Sequence, residues 1–199
     1  MIKILKKNNS EPYRLFHEYY ERAILKNQYL VEAIAISSFD SFSKEVESRF
    51  VNLKYIDDDK WIFFTNYKSI KSQNFEGHNQ ISCLFYWESI NVQIRIKARI
   101  AKCSHEFSDL HFKGRSDSKN ALAISSNQSR TISSYNKVIK NYNDTLKDKI
   151  LISKRPDYWG GYEFIPYYFE FWEGHESRLN KRIIFEVKDG LWSASFLQP

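Results

Sequence analysis

The sequence predicts a mainly β protein with peripheral α-helices, folded as a closed or split β-barrel. Two observations lead there. Many short runs rich in β-branched and aromatic residues are separated by turn or charge clusters, and only two regions show helical periodicity. In the longest run, Val92, Ile94, Ile96, Ala98 and Ile100 alternate with Gln93, Arg95, Lys97 and Arg99, the period-2 pattern of a strand with one buried and one polar face.

Taken in order, Ser10 ahead of Pro12 reads as an N-cap with proline in the first turn. Leu15, Phe16, Tyr19, Tyr20, Ala23 and Ile24 then recur at helical spacing, so a helix is expected over about 11–26. Strands are expected at Ala33–Ser37, Val46–Tyr55, Trp61–Thr65, Ile81–Trp87 and Asn91–Cys103, with Asp57–Lys60 as one of the separating clusters. Between Ser104 and Lys149 the pattern turns helical and polar, with Val138, Ile139, Tyr142 and Leu146 on one stripe. Strands return at Tyr162–Pro166, Tyr168–Trp172, Arg182–Val187 and Trp192–Phe196. No internal repeat or low-complexity linker interrupts the series, so residues 1–199 are expected to form a single domain.

Composition narrows the function. Aromatic residues make up 17% of the chain, which points to substantial apolar burial instead of disorder. No run approaches the roughly 20 apolar residues of a membrane span, and Met1–Lys7 is too short and lysine-rich for a signal peptide, so a cytoplasmic protein is expected. Cys83 and Cys103 lie in apolar runs without CxxC spacing and read as reduced core residues. The five histidines show no HxxxH or HxH spacing and no G-x-S-x-G elbow accompanies them, which argues against metal and serine hydrolysis. The net charge of +6 fits an anionic partner. Its dispersal among acidic residues favours a phosphorylated metabolite over nucleic acid.

In the last third, Trp159, Gly160, Gly161 and Tyr162 precede Glu170, Phe171 and Trp172, then Arg178 and Arg182. Aromatic surfaces and guanidinium groups in proximity suit a flat anionic cofactor such as a flavin, although the same aromatics fit the core of a β-hairpin. Together with Arg49-Phe50-Val51-Asn52-Leu53-Lys54, Phe64-Thr65-Asn66, Ser69-Ile70-Lys71, Gln93 and Gln128-Ser129, these blocks resemble, in order and spacing, the pyridoxamine 5′-phosphate oxidase family, from about Pro12 to the C-terminus.

The resemblance implies an FMN-binding split β-barrel, a homodimer with two flavin sites at the subunit interface. By position it implies FMN contacts from Arg49, Lys54, Phe64, Thr65, Lys71, Gln93, Gln128, Ser129, Trp172 and Arg182. Arg49, Lys71 and the Thr65 hydroxyl offer the donors that a phosphate needs. Gln93 fits equally a solvent-facing position on an amphipathic strand. Arg49 and Lys54 have opposite strand parity, so they share a ligand only if the strand bulges or ends between them. For the substrate, the resemblance implies Lys54, His111, Arg115, Lys119, Arg178 and Asn180. Arg178 could instead pair with Glu176, and His111 could be an exposed helix residue.

Departures from the family pattern fall mostly in the substrate half. Ile70 replaces an arginine, His111 a tyrosine, Lys119 a serine (unless Ser118 fills that role) and Asn180 a histidine, and the family's basic N-terminal segment is largely missing. The expected activity is oxidation of pyridoxamine or pyridoxine 5′-phosphate to pyridoxal 5′-phosphate with O₂ as acceptor. No catalytic acid or base is assigned, because the cofactor takes the hydride. The alternatives are a related flavin oxidase acting on another substrate, such as a phenazine precursor, and a binding protein that holds flavin or pyridoxal phosphate without turnover.

Overall fold

A computed structural model describes all residues 1–199. Ten strands form one strongly curled sheet: β1 (Lys3–Lys6), β2 (Ala33–Phe39), β3 (Val46–Asn52), β4 (Tyr55–Asp57), β5 (Lys60–Asn66), β6 (Gln80–Trp87), β7 (Val92–Lys102), β8 (Trp159–Glu173), β9 (Lys181–Lys188) and β10 (Leu191–Leu197). Their order is β1-β4-β5-β8-β7-β6-β2-β3, with β9 joined to β8 and β10 to β9. The helices are α1 (Glu11–Leu25), α2 (Ile70–Gly77), α3 (His105–Lys113), α4 (Asp117–Ser125), α5 (Tyr135–Lys147) and α6 (Lys149–Ser153).

The expected alternation on β7 holds: Val92, Ile94, Ile96, Ala98 and Ile100 are buried, and Arg95, Lys97 and Arg99 are exposed. Helix α1 lays Tyr13, Phe16, Tyr19, Tyr20 and Ala23 against this inner surface. Phe16 and Trp61, both fully buried, have ring centroids 4.4 Å apart. Burying one such aromatic side chain contributes on the order of 2–3 kcal/mol. Cys83 and Cys103 are free and buried, as expected.

Four differences from the sequence expectations matter for the site. The run Val46–Tyr55 is two strands, because β3 ends at Asn52 and Leu53 turns fully inward, its N–H bonded to Glu32 O. Tyr162–Pro166 and Tyr168–Trp172 are parts of one long strand, β8, with a register shift opposite Lys97/Ala98 that leaves Tyr167 unpaired. That bulge accommodates Pro166, which has no N–H for the ladder. Helix α2 was not expected at all. The α5 stripe exists, yet no residue of α5 is buried in the single chain.

Candidate functional site

One cleft of about 960 Å³ collects side chains from β3, β5, α2, α3, α4 and the α4–α5 loop. Its wall is aromatic. Phe64 on β5 stacks on His111 of α3, with centroids 3.6 Å apart and planes 9° apart, and lies nearly parallel to Trp159 at 5.5 Å. The Arg115 guanidinium covers the Trp159 ring at 4.2 Å. The two glycines after Trp159 let β8 start this close to its neighbours. A Cβ on Gly160 would meet Tyr67 Oη at 2.2 Å, and one on Gly161 would meet Cys103 Sγ at 2.8 Å.

Cations stand at both ends of this wall. Because β3 stops at Asn52 and the Lys54 N–H bonds to Ile62 O on β5, the parity between Arg49 and Lys54 is broken and both reach the cleft. At one end, Lys71 Nζ donates to Thr65 Oγ1 (3.1 Å) and Ser69 Oγ (3.3 Å). Arg49 contacts Ser38 Oγ at 2.6 Å and the Glu47 carboxylate at 2.6 Å. Gln128 leans over this corner from the loop, accepting from Thr65 Oγ1 at 3.2 Å, and Ser129 beside it holds a left-handed φ of 69°. At the other end stand Lys54, Arg115, Lys119 and His111. Tyr55 Oη lies 2.8 Å from His111 Nδ1.

Four of the five cleft cations, Lys54, Lys71, Arg115 and Lys119, make no salt bridge. Lys71 is buried, and burial together with the Arg49 charge lowers its pKa to about 8. Burial also lowers Arg115 to about 10, and one of its guanidinium nitrogens, Nη1, is buried without a partner. Burial, then the charges of Arg115, Lys54 and Lys119, lower His111 to about 4, so the imidazole is neutral at physiological pH. A cation buried without an anionic partner, as Lys71 is, favours an anion beside it. The donor set at Arg49, Lys71 and Thr65, beside an aromatic wall, fits the phosphate and ring system of FMN.

The remaining expected residues lie elsewhere on the chain. Gln93, Trp172 and Arg182 stand side by side on β7, β8 and β9, in the registers Gln93↔Trp172 and Trp172↔Arg182. Arg178 and Asn180 occupy the loop just beyond. Trp159 and Trp172 end the same strand, roughly 40 Å apart along it at about 3.3 Å per residue. The expectation that the last third forms one aromatic and cationic cluster is therefore corrected within a single chain: Trp159 lines the cleft, Tyr162 and Phe171 are core, and Trp172 belongs to the second group. Arg182 is already bonded to Glu170 Oε1 at 2.7 Å, and Asn180 Oδ1 accepts the His175 N–H. Arg178 does not pair with Glu176, and His111 is half-buried in the cleft instead of exposed. Sequence reasoning missed Tyr55 and Glu47, since neither stands in a block carrying the resemblance.

A curled split barrel whose cleft sets a cationic corner against an aromatic wall is the form of an FMN-binding split-barrel flavoprotein. Over residues 159–199 the chain matches the pyridoxine 5′-phosphate oxidase C-terminal dimerisation region. It is 33% identical, over 96% of its length and 90% of the relative's, to the pyridoxine/pyridoxamine 5′-phosphate oxidase of Actinobacillus pleuropneumoniae serotype 7. A second relative of that name, from Vesicomyosocius okutanii, is also 33% identical over 96% of this chain and 90% of its own. PhzG from Burkholderia lata 383, solved in complex with tetrahydrophenazine-1-carboxylic acid, superposes with a TM-score of 0.89 at 26% identity, covering 96% of this chain and 93% of its own. An FMN-binding protein from Nostoc punctiforme shares the fold, with a TM-score of 0.76 at 11% identity. The chain thus belongs to the pyridoxine/pyridoxamine 5′-phosphate oxidase family of FMN-dependent oxidoreductases. No helix is long and apolar enough to cross a membrane.

Proposed function

We propose that this protein oxidises pyridoxamine or pyridoxine 5′-phosphate to pyridoxal 5′-phosphate with O₂ as electron acceptor, as a homodimer whose sites form between subunits. The observation that carries the reading is a cleft with two separate groups of cations, Arg49 with Lys71 and Lys54 with Arg115 and Lys119, joined by an aromatic wall. Two anionic phosphates with a flat ring system between them match that arrangement. When bound, FMN accepts the two electrons of the oxidation. Arg49, Lys71 and Thr65 hold its phosphate, with Phe64, Gln128 and Ser129 alongside. Lys54, Arg115 and Lys119 bind the substrate phosphate, and neutral His111 adds an N–H donor. Phe64 and Trp159 exclude water from the ring's surroundings and fix its plane.

Gln93, Trp172 and Arg182 for the flavin, and Arg178 and Asn180 for the substrate, come from the second subunit in this reading. They share a surface remote from the cleft, and the dimerisation-region match covers most of them. A second reading, oxidation of a phenazine precursor, draws support from the structural likeness to PhzG. It draws support also from the changed residues His111, Lys119 and Asn180. Adding pyridoxine 5′-phosphate aerobically to the yellow protein, and following aldehyde absorbance and peroxide, tests the proposal. Prompt turnover is expected. Flavin reduction only by a cyclic carboxylic acid would favour the second reading, and no reduction by either would leave a binding protein.

A further inference from the structure

Glu47 is the one carboxylate among the residues that line the cleft, and it stands at the phosphate corner. Its Oε2 accepts from Arg49 Nη2 at 2.6 Å. This contact is not needed to orient Arg49. The other terminal nitrogen, Nη1, already donates to Ser38 Oγ at 2.6 Å, to the Glu47 backbone O at 3.0 Å and to Ile36 O at 3.4 Å. Nη2 is the free arm of the fork, and the carboxylate occupies it. The Glu47 side chain is 41% exposed against 21% for Arg49, so it can move into water while the guanidinium stays in place. Next to this corner Ile70 brings no charge, leaving Arg49 and Lys71 as its only cations. With Glu47 in place their net charge falls from +2 to +1.

We infer that Glu47 is a resident counter-ion which the FMN phosphate must displace from Arg49, so that this side chain limits the preference of the site for FMN over riboflavin. The inference rests on the proposed placement of the phosphate at Arg49 and Lys71. A phosphate dianion competes for Nη2 and is repelled by the carboxylate it replaces, whereas riboflavin carries no charge and meets neither effect.

Flavin-free protein titrated with FMN and with riboflavin, followed by quenching of flavin fluorescence, tests this without reference to turnover. Glu47→Gln keeps the shape and removes the charge. It is expected to tighten FMN about two- to fivefold and to leave riboflavin unchanged, with Glu47→Ala moving in the same direction. Unchanged or weaker FMN binding in both variants would overturn the inference, since the carboxylate would then be neutral or helpful to the cofactor. Lys71→Ala serves as the control for placement. If it loses FMN while riboflavin is unaffected, the phosphate corner stands and only the role of Glu47 is at issue. If it changes both ligands equally, the phosphate lies elsewhere and the inference falls with its premise.

Discussion

The phenol oxygen of Tyr55 lies 2.8 Å from Nδ1 of His111, and the contact determines which imidazole nitrogen carries the proton. The imidazole is neutral and the phenol, its pKa raised by burial, stays protonated. The phenol therefore donates to Nδ1, leaving the proton of the ring on Nε2 as a donor toward the cations' anion. A neutral donor survives between Lys54, Arg115 and Lys119, where an imidazolium would add a fourth positive charge. Imidazole ¹⁵N shifts should show an Nε2–H tautomer that resists protonation until about pH 4. Tyr55→Phe should mix the tautomers and raise KM about fivefold, the loss of one ordinary hydrogen bond of roughly 1 kcal/mol, with a smaller change in kcat.

In the proposed site, Lys71 makes flavin binding depend on protons. Its folded pKa near 8 lies below the ordinary 10.5, so between those values the unfolded chain binds more protons than the folded one. Stability of the flavin-free protein should therefore rise with pH from about 8 to about 10.5. A bound phosphate favours the ammonium and lifts that pKa, so FMN binding at about pH 9 should take up protons. Calorimetric titrations in two buffers of different ionisation enthalpy would detect the uptake. Lys71→Met should abolish it and weaken FMN about 10- to 100-fold, the range for a charge-assisted hydrogen bond of about 1.5–3 kcal/mol. Because a buried unpaired charge is removed, the flavin-free variant should melt no lower than the parent.

Arg115 serves the other end of the cleft. Its guanidinium carbon lies 4.2 Å from the Trp159 ring centroid, one of its nitrogens is unpartnered, and its side-chain hydrogen bond goes to Lys119 O. Arg115→Ala should purify yellow and raise KM for the phosphorylated substrate by about 10- to 100-fold. Arg115→Lys should fall between the two, since it restores the charge without the planar fork or the stacking. Flavin content measured by absorbance, beside KM, separates this outcome from general damage to the site.

Most strands were legible because a half-buried strand shows its period in every second residue, as β7 does; β1, with only Ile4 partly buried between lysines and an exposed leucine, was not expected. Helix α1 was legible because its apolar residues face one core. Helix α2 was not, for a physical reason: its buried face carries Lys71, Ser72 and Asn74 with only Phe75, so the usual apolar stripe is replaced by polar groups. Those groups are satisfied by distant partners, Ser72 Oγ on Asn66 O and Asn74 Nδ2 on Ser38 Oγ, which spacing along the chain does not reveal. That Arg49, Thr65, Lys71 and Gln128 line one cleft was easier to anticipate, because they sit in compact blocks along the chain. The Tyr55–His111 contact was not, since it joins residues far apart in the chain; Glu47 and Arg49, by contrast, share one face of β3 as i and i+2 neighbours, a spacing that strand parity makes legible although no motif marks it. Sequence order also could not say that Trp159 and Trp172 stand at opposite ends of one strand.

That separation permits a test of the shared site by complementation. In the proposed dimer Arg115 comes from one subunit and Arg178 from the other, and Arg178 is exposed, with no side-chain hydrogen bond or salt bridge within its own chain. Arg115→Ala and Arg178→Ala should each form a flavin-loaded homodimer with poor turnover, since every site lacks one cation. Co-expressed with different tags and purified through both, the variants yield a mixed dimer in which one site carries both substitutions and the other carries neither. Such a dimer should recover about half the parental kcat per dimer, with parental KM, because a two-fold interface places residue i of one copy against residue j of the other. Sites built within one chain would give no recovery, as each would still hold one damaged residue. Recovery that required high protein concentration, together with sedimentation as a single subunit on dilution, would show in addition that the pairing is weak.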